Sequence, residues 1–249
     1  MAGVTRRVAS AGYGVAELTA LPAGARLPSH SHDAPYLSIH LLGRYREIGD
    51  DQDVAIAGPA AVFHPAGAEH EDTIGVEGLR TLVIQFDPDW LDRRAPLPGR
   101  SMYWTLGPVV AEARQFARAA LSDPAPEAML AEAAGLIAQW GRTETRPAPA
   151  WLSRLDRMLD DDETPGLDAL ARRLDLSPPW LLRAYRAWRG EGLGDTLRRR
   201  ALERALSLID AHTPLADAAA AAGFCDQSHL NRVCKALTGE TPGQIRAGG

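Results

Sequence analysis

The last hundred or so residues contain the same local pattern twice: a short helix, a tight turn and a second helix. The copies span 166–189 and 214–238, so they begin about 48 residues apart. In both copies the apolar residues recur at helical spacing, and a long helix is expected between them at roughly 194–211. This repeat predicts an all-helical C-terminal region built from two similar units.

The second copy indicates what the second helix of each unit exposes. Gly223 is suited to the positive φ that ends the short helix, and Phe224 is expected to be buried at the corner. The predicted buried stripe consists of Leu230, Val233, Cys234 and Leu237. The side chains left outward are Gln227, Ser228, Asn231, Arg232 and Lys235. Gln and Arg bond base edges and Lys bonds phosphates, so this face suits duplex DNA.

The first copy repeats the arrangement with a less polar surface. Ser177 stands at the N-cap and Pro178 at the first helical position. The predicted buried stripe consists of Leu181, Ala184, Tyr185 and Trp188. The outward residues are Pro179, Leu182, Arg183 and Arg186. A plain helical bundle with a polar surface also fits either copy alone, and the tandem repeat is what favours DNA reading.

The net charge alone does not exclude a nucleic-acid-binding protein, because the charged residues are unevenly distributed along the chain. The total is -5, yet residues from 151 onward hold 14 basic and 14 acidic side chains, so the first 150 carry the whole excess. The basic groups of the second half are clustered, and a phosphate backbone responds to such clusters. They are Arg172, Arg173, Arg183, Arg186, Arg189 and Arg198 to Arg200. Solvated Arg–Asp pairs are the alternative for any single one of them.

The segment "GFCDQSHLNRVCKALTGETPGQIR" resembles the C-terminal signature of the AraC family of transcriptional regulators, and 167–209 resembles the first half of the same module. The resemblance covers about 151–249 and implies two helix-turn-helix readers in adjacent major grooves, roughly 34 Å apart. The DNA contacts that it implies are Pro179, Leu182, Arg183, Arg186, Gln227, Ser228, His229 and Arg232. Cys225 and Cys234 depart from the family pattern, which leaves the local cap and packing open. Pro179 and Leu182 are apolar departures, so the first helix is expected to read DNA shape or thymine methyl groups.

Residues 1–99 predict a β domain, because short apolar runs alternate with Gly, Pro and Asp turns. Within it, "GARLPSHSHDAPYLSIHLLG" and "PAGAEH" resemble the two motifs of the cupin barrel, a double-sheet jelly roll. The overall expectation is an α+β chain: a cupin-like sensor barrel at 1–99, a helical linker or dimerisation segment at 100–145, and a double helix-turn-helix domain at 151–249.

The cupin resemblance implies His30, His32 and His70 as metal ligands, with Tyr36 where the family has a Glu. Five of the seven histidines fall within residues 30–70, which suits a divalent transition metal such as Zn²⁺, Ni²⁺, Fe²⁺ or Cu²⁺. The alternative is that the histidines are relics or bind an organic effector. Tyr36, Tyr45 and Phe63 are then candidate effector contacts, although each also fits plain core.

The remaining expectations concern partners and location. Helices at 107–140 carry an apolar stripe that either covers the barrel or forms the homodimer contact common in the resembling family. The expected partners are double-stranded DNA, a small-molecule or metal effector, a second copy of the chain and RNA polymerase. No apolar run suits a membrane span or a signal peptide, so a cytoplasmic protein is expected. A non-enzymatic regulator is favoured, and a metal-dependent cupin enzyme with a helical appendage is the alternative.

Overall fold

The computed structural model describes residues 3–49, 52–94, 98–143, 148–160 and 166–247. Within these ranges the N-terminal half is an antiparallel sheet of 8 strands and the C-terminal half is helical. The strands are β1 (Val4–Ala11), β2 (Gly14–Leu21), β3 (Arg26–His30), β4 (Tyr36–Gly49), β5 (Gln52–Ala57), β6 (Ala60–His64), β7 (His70–Phe86) and β8 (Met102–Trp104). The helices are α1 (Pro88–Asp92), α2 (Pro108–Ser122), α3 (Pro126–Trp140), α4 (Ala150–Asp160), α5 (Leu167–Leu174), α6 (Pro178–Arg189), α7 (Leu193–Asp210), α8 (Leu215–Ala221), α9 (Gln227–Thr238) and α10 (Pro242–Ala247). The predicted α+β class, with a β-rich first half and two helical units in the second, is confirmed.

Two long strands organise the sheet. Along the strand path the order is β1-β2-β7-β4-β6-β8. The strand β7 also pairs with β3, and β4 also pairs with β5, so each long strand has different neighbours along its two halves. Register shifts after His40 and after Gly43 interrupt the β4–β7 ladder. Such bulges bend a strand and re-aim the side chains that follow it.

The two faces of the sheet have different chemistry, because side chains alternate along a strand. One face is apolar: Leu37, Ile39 and Phe63 pack against α2 and α3, with Phe116, Leu130, Ile137 and Trp140 in the same core. The other face of β4, β6 and β7 holds the polar side chains Tyr36, Ser38, His40, Tyr45, Glu47, His64 and His70, all buried. The sheet thus places its apolar face against helices and keeps its polar side chains together.

The predicted stripe of the helices at 107–140 covers the sheet. Val109, Phe116, Met129 and Leu130 all lie in that core. The sheet also continues past the predicted domain boundary at residue 99, because β8 pairs with β6. Trp104 of β8 is 2% exposed and packs edge-on against Trp140 of α3. Residues 102–140 therefore complete the N-terminal domain.

The helical half has one core for each predicted unit. The first unit consists of α4, α5 and α6, and Leu193 and Leu197 at the start of α7 pack into its core. The second consists of α8, α9 and α10, and Leu202, Leu206 and Ile209 further along α7 pack into its core. The helix α7 is therefore shared by the two units, as the repeat predicts. None of the helices that the structure describes has the length and apolar character needed to cross a bilayer.

The two halves of the chain meet at β4, where Gly43 touches α7. The Gly43 backbone N–H donates to Glu203 Oε1 at 2.9 Å. Glu203 also accepts from Arg199 Nη1 at 3.0 Å, and Arg199 pairs with Glu191, whose other oxygen lies 3.2 Å from Arg114 of α2. All four side chains are at least nine-tenths buried. A buried charged network of this kind favours one relative placement of the parts that it joins.

Gly43 provides a sharp test of the β4 geometry. Its φ is +91°, and a Cβ there would lie 1.9 Å from the Gly78 carbonyl oxygen. We expect Gly43→Ala to lower the free energy of unfolding by about 1–3 kcal/mol more than a positive φ alone costs. Gly24→Ala is the matched control, because Gly24 has φ +68° and a Cβ there would have no atom within 4 Å. Equal losses in chemical denaturation of the two variants would contradict the close approach.

Candidate functional sites

Three histidines come together on the polar face of the sheet. His30, at the end of β3, is the cross-strand partner of His70, at the start of β7. His32 follows two residues after His30, and one ring nitrogen from each of the three lies within 4.8 Å of the others. The sequence prediction that His30, His32 and His70 share one site is consistent with this arrangement. Three imidazoles at such distances form a donor set suited to a divalent transition metal.

Hydrogen bonds orient two of these rings. The Nδ1 of His30 lies 2.9 Å from the Pro28 carbonyl, and the Nδ1 of His70 lies 3.2 Å from the Ala68 carbonyl. A carbonyl only accepts, so each Nδ1 carries the proton and each Nε2 keeps its lone pair. The Tyr36 hydroxyl lies 3.1 Å from His70 Nε2 and donates to that lone pair. Any ligand of His70 Nε2 must therefore displace the Tyr36 hydroxyl.

The surroundings favour the neutral forms of His32 and His70. Burial and the neighbouring His64 lower the pKa of His70 to about 4. Burial and the neighbouring His30 lower the pKa of His32. Burial also raises the pKa of Tyr36 well above its ordinary value, so that its hydroxyl stays protonated. Neutral imidazoles are the form that binds metals, so His32 and His70 are available as donors near neutral pH.

Two carboxylates on the same face were missed by the sequence analysis. Glu47 is 2% exposed, lies 3.3 Å from His64 Nε2, and accepts hydroxyl hydrogen bonds from Tyr45 and Tyr103. Its cross-strand partner is Asp72, whose Oδ2 lies 4.0 Å from His70 Nε2. Burial and the nearby Glu47 raise the pKa of Asp72 to about 7.

The signal for Asp72 was present in the sequence, because it follows His70 by two residues on one strand and so shares its face. The sequence did not indicate that Glu47 lies on this face, because the two register shifts in β4 break the alternation of side chains that starts at Tyr36. The polar face therefore has acidic groups even though Tyr36 stands at the position of the family Glu.

The candidate effector contacts divide between the two faces. Tyr36 and Tyr45 lie on the histidine side: Tyr36 stacks on His64, and Tyr45 stacks on His40. Phe63 does not, because its cross-strand partner is Leu37 and both belong to the core beneath α2 and α3. The interpretation of Phe63 as a barrel contact is corrected: cross-strand partners share a face, and this pair faces the helices.

The second candidate site is the exposed face of α6 and α9. Pro179, Leu182, Arg183 and Arg186 on α6 are exposed, as are Gln227, Ser228 and Arg232 on α9. His229 is half-buried, with its ring edge-on to the buried Phe224. Gly223 has φ +89°, as expected for the corner. The eight predicted DNA contacts thus lie on two equivalent helices, most of them in the first half of each and Arg186 in the last turn of α6.

The ends of these helices also follow from the sequence. Asp226 caps α9 by accepting the His229 backbone N–H, so Cys225 is not needed as a cap. Ser177 is at the N-cap of α6 as predicted, although its side chain makes no capping hydrogen bond. Cys225 is exposed and Cys234 buried, and both are free. Burial raises the pKa of Cys234 to about 11, which suits an inert core thiol.

The predicted basic cluster separates into structural and free arginines. Arg189 pairs with Asp156, Arg198 with Asp195, and Arg199 with Glu191 and Glu203. Within the described part of the chain, Arg183, Arg186 and Arg232 make no ion pair or side-chain hydrogen bond. The three arginines on the two reading faces are therefore exposed and without a described partner, a state that they share with other surface arginines such as Arg173 and Arg204.

His40 allows a test of the polar face by pH. It is 3% exposed, and burial lowers its pKa from 6.5 to about 4. The unfolded chain takes up a proton at His40 as pH falls through 6.5, whereas the folded chain resists it until about 4. Lowering the pH therefore favours unfolding. Protonation of His40 in the unfolded chain is expected to lower the free energy of unfolding by on the order of 2 kcal/mol between pH 7 and pH 5.

The measurement is urea denaturation at both pH values. His40→Gln should show a smaller loss between pH 7 and 5 than the parent chain, while His212→Asn, at an exposed position, should match the parent. An unchanged pH dependence in His40→Gln would contradict the assignment of His40 as a buried neutral group.

Comparison with known proteins supports the second site directly. A helix-turn-helix domain family matches residues 170–248. A transcriptional regulator of Rhizobium meliloti strain 1021, GlxA, is 38% identical over 102 residues, which are 39% of this chain and 31% of that protein. The matched segment thus spans about a third of the length of this curated relative.

Solved structures show weaker likenesses. A ToxT variant of Vibrio cholerae, in its apo form, has a TM-score of 0.43 at 11% identity, covering 96% of this chain and 98% of that one. A cupin superfamily protein of Desulfitobacterium hafniense has a TM-score of 0.31 at 16% identity, covering 34% of this chain and 77% of that one. The repeat geometry and the matched family together establish that residues 170–248 are a helix-turn-helix domain.

Proposed function

We propose that this chain is a sequence-specific DNA-binding transcriptional regulator whose N-terminal barrel senses a small molecule or a metal ion. The observation that carries the DNA-binding part is the placement of Arg183, Arg186 and Arg232. These arginines are exposed on two equivalent helices and have no partner among the described residues. The sequence similarity to a protein named as a transcriptional regulator supports the same conclusion.

The chemistry of the two reading faces fits the major groove. Gln227 and Arg232 offer the donor and acceptor sets that bond adenine and guanine edges. The first face combines Arg183 and Arg186 with the apolar Pro179 and Leu182, which suits phosphates together with thymine methyl groups. The helix α7, which joins the units, has 18 residues and is about 27 Å long. Two reading helices on such a spacer suit adjacent major grooves.

Arg232→Ala tests this assignment. Losing a base-reading arginine should weaken binding to the preferred duplex by about 10- to 100-fold, or roughly 1–3 kcal/mol. Arg198→Ala is the matched control, because Arg198 is also exposed on the helical half but pairs with Asp195. The measurement is fluorescence anisotropy at fixed salt, with a duplex selected from a random pool and a scrambled duplex for comparison. Binding of the parent chain to both duplexes with equal affinity would refute the proposed function.

The effector part of the proposal rests on the histidine cluster. Three imidazoles with ring nitrogens within 4.8 Å fit a divalent transition metal, and the carboxyl groups of Asp72 and Glu47 lie on the same face. Tyr36 disfavours metal binding at His70, because its hydroxyl donates a hydrogen bond to the Nε2 lone pair that a metal ion would use. If a metal binds, His30, His32 and His70 would hold it, and it would serve as a signal that favours one arrangement of the domains. A small organic effector would use the same face, with Tyr36 and Tyr45 beside it.

Metal content distinguishes the two effector classes. We expect the chain, after incubation with Zn²⁺, Ni²⁺ or Fe²⁺, to retain close to one ion, and a His30→Ala/His32→Ala variant to retain none. Tyr36→Phe should raise metal affinity, because it frees His70 Nε2. Mass spectrometry of untagged, dialysed protein measures all three. Absence of metal from both the parent chain and Tyr36→Phe would exclude the metal and leave an organic effector.

Two further parts of the proposal concern assembly and catalysis. A homodimer on paired DNA sites, acting with RNA polymerase, belongs to the proposed function, and sedimentation velocity of the free chain tests the dimer. The apolar stripe of α2 and α3 faces the sheet, so a dimer contact on these helices would use their outer sides. The alternative of a cupin enzyme gains no support from the similar regulator.

A further inference from the structure

Each reading helix ends in the same two-residue corner. The helix α6 ends at Arg189 and is followed by Gly190, in the left-handed region, and Glu191. The helix α9 ends at Thr238 and is followed by Gly239, also in the left-handed region, and Glu240. The glycines stop the helices in the usual way. The glutamate after each glycine has no role in helix termination, so its repetition calls for another explanation.

Both glutamates pair with arginines of the N-terminal domain. Glu191 Oε2 lies 3.2 Å from Arg114 Nη2 on α2. Glu240 Oε1 lies 3.2 Å from Arg6 Nε on β1, and its Oε2 lies 3.1 Å from Arg80 Nη1 on β7. Arg80 and Glu240 are largely buried, with 15% and 17% of their side chains exposed. Each corner is thus attached to the N-terminal domain by a glutamate–arginine pair, and Glu191 also pairs with Arg199 on α7.

Both glycines also pack on α2. A Cβ at Gly190 would lie 2.5 Å from the backbone nitrogen of Ala111, so only glycine allows this approach. A Cβ at Gly239 would lie 3.5 Å from the Leu121 side chain. Ten residues of helix separate Ala111 from Leu121, a distance of about 15 Å. The Gly107 N–H at the start of α2 also donates to the Trp188 carbonyl of α6 at 2.6 Å.

The docked ends leave the reading ends free. The contacts are at the C-terminal ends of α6 and α9, whereas Pro179, Gln227 and Ser228 lie in the first turns and are exposed. Arg186 lies in the last turn of α6, and it too is exposed. The opposite face of α2 is packed into the core against the sheet. Its position is therefore fixed by the N-terminal domain, and it in turn fixes the places where both reading helices end.

We propose that Glu191 and Glu240 are positioning residues that dock the two reading helices on α2 and the adjacent strands, so that the N-terminal domain, together with the shared helix α7, fixes the spacing between the two half-sites that the chain recognises. The inference rests on the proposed DNA-binding function and adds to it the origin of the spacing. A fixed spacing raises the affinity for correctly spaced half-sites, because the second helix then binds at a high effective concentration. A fixed spacing also lowers the affinity for DNA in which one half-site is displaced relative to the other.

The test compares three duplexes built from the sequence that the parent chain selects from a random pool. One is the intact site, one has a single base pair inserted between the halves, and one keeps only the half read by α9. The variant is Glu240→Gln, which keeps the shape and removes the charge. The control is Glu17→Gln, which breaks a pair with Arg7 within the sheet, away from the helical half. Thermal melting of each protein verifies folding.

We expect Glu240→Gln to bind the intact site about five- to tenfold more weakly, to bind the half-site as the parent does, and to lose discrimination against the insertion. Glu17→Gln should match the parent. An equal loss on the half-site would show a local effect on α9 and overturn the inference, as would undiminished discrimination against the insertion. If the parent selects no sequence, the proposed function itself fails.

Discussion

The helix α2 lies between the sheet and both helical units, and the buried charges around it decide how the two halves of the chain meet. Arg114, Glu191, Arg199 and Glu203 form one connected set that ends on the Gly43 backbone of β4. Removing charges from water costs free energy, so such a set adds little net stability. Its effect is to raise the free energy of other placements of the domains, since those placements would leave buried charges without partners. The relative orientation of the two halves follows from this constraint.

The strand β4 connects this joint with the histidine face. His40 and Tyr45 stack on each other on either side of the segment that touches α7, and Tyr45 bonds Glu47, which pairs with His64. A change at the histidines that moves β4 would therefore also move Gly43 relative to α7. Coupling between two sites requires that a ligand favour one of two arrangements, and contiguous packing provides a physical route for it.

The histidine face also shows how one substitution alters a familiar donor set. Tyr36 occupies the position expected for an acidic ligand and donates a hydrogen bond to His70. Acidic groups are supplied instead by Glu47 and Asp72, which are cross-strand partners. Burial and the nearby Glu47 raise the pKa of Asp72 to about 7, whereas for Glu47 itself the hydrogen bonds with His64 and Tyr103 outweigh burial and lower the pKa.

The sequence by itself determined the features that depend on near neighbours: the helical periodicity, the corner at Gly223 and Phe224, the outward faces of α6 and α9, and the His30–His32 pair. Such features need only helix geometry and turn chemistry, which act over a few residues. The tertiary structure decided the rest. Bulges in β4 turned Glu47 inward, strand pairing placed Phe63 under the helices, and ion pairs between residues more than a hundred positions apart, such as Arg80 and Glu240, attached the reading helices to the sheet. These depend on which distant segments meet, and no local pattern records that.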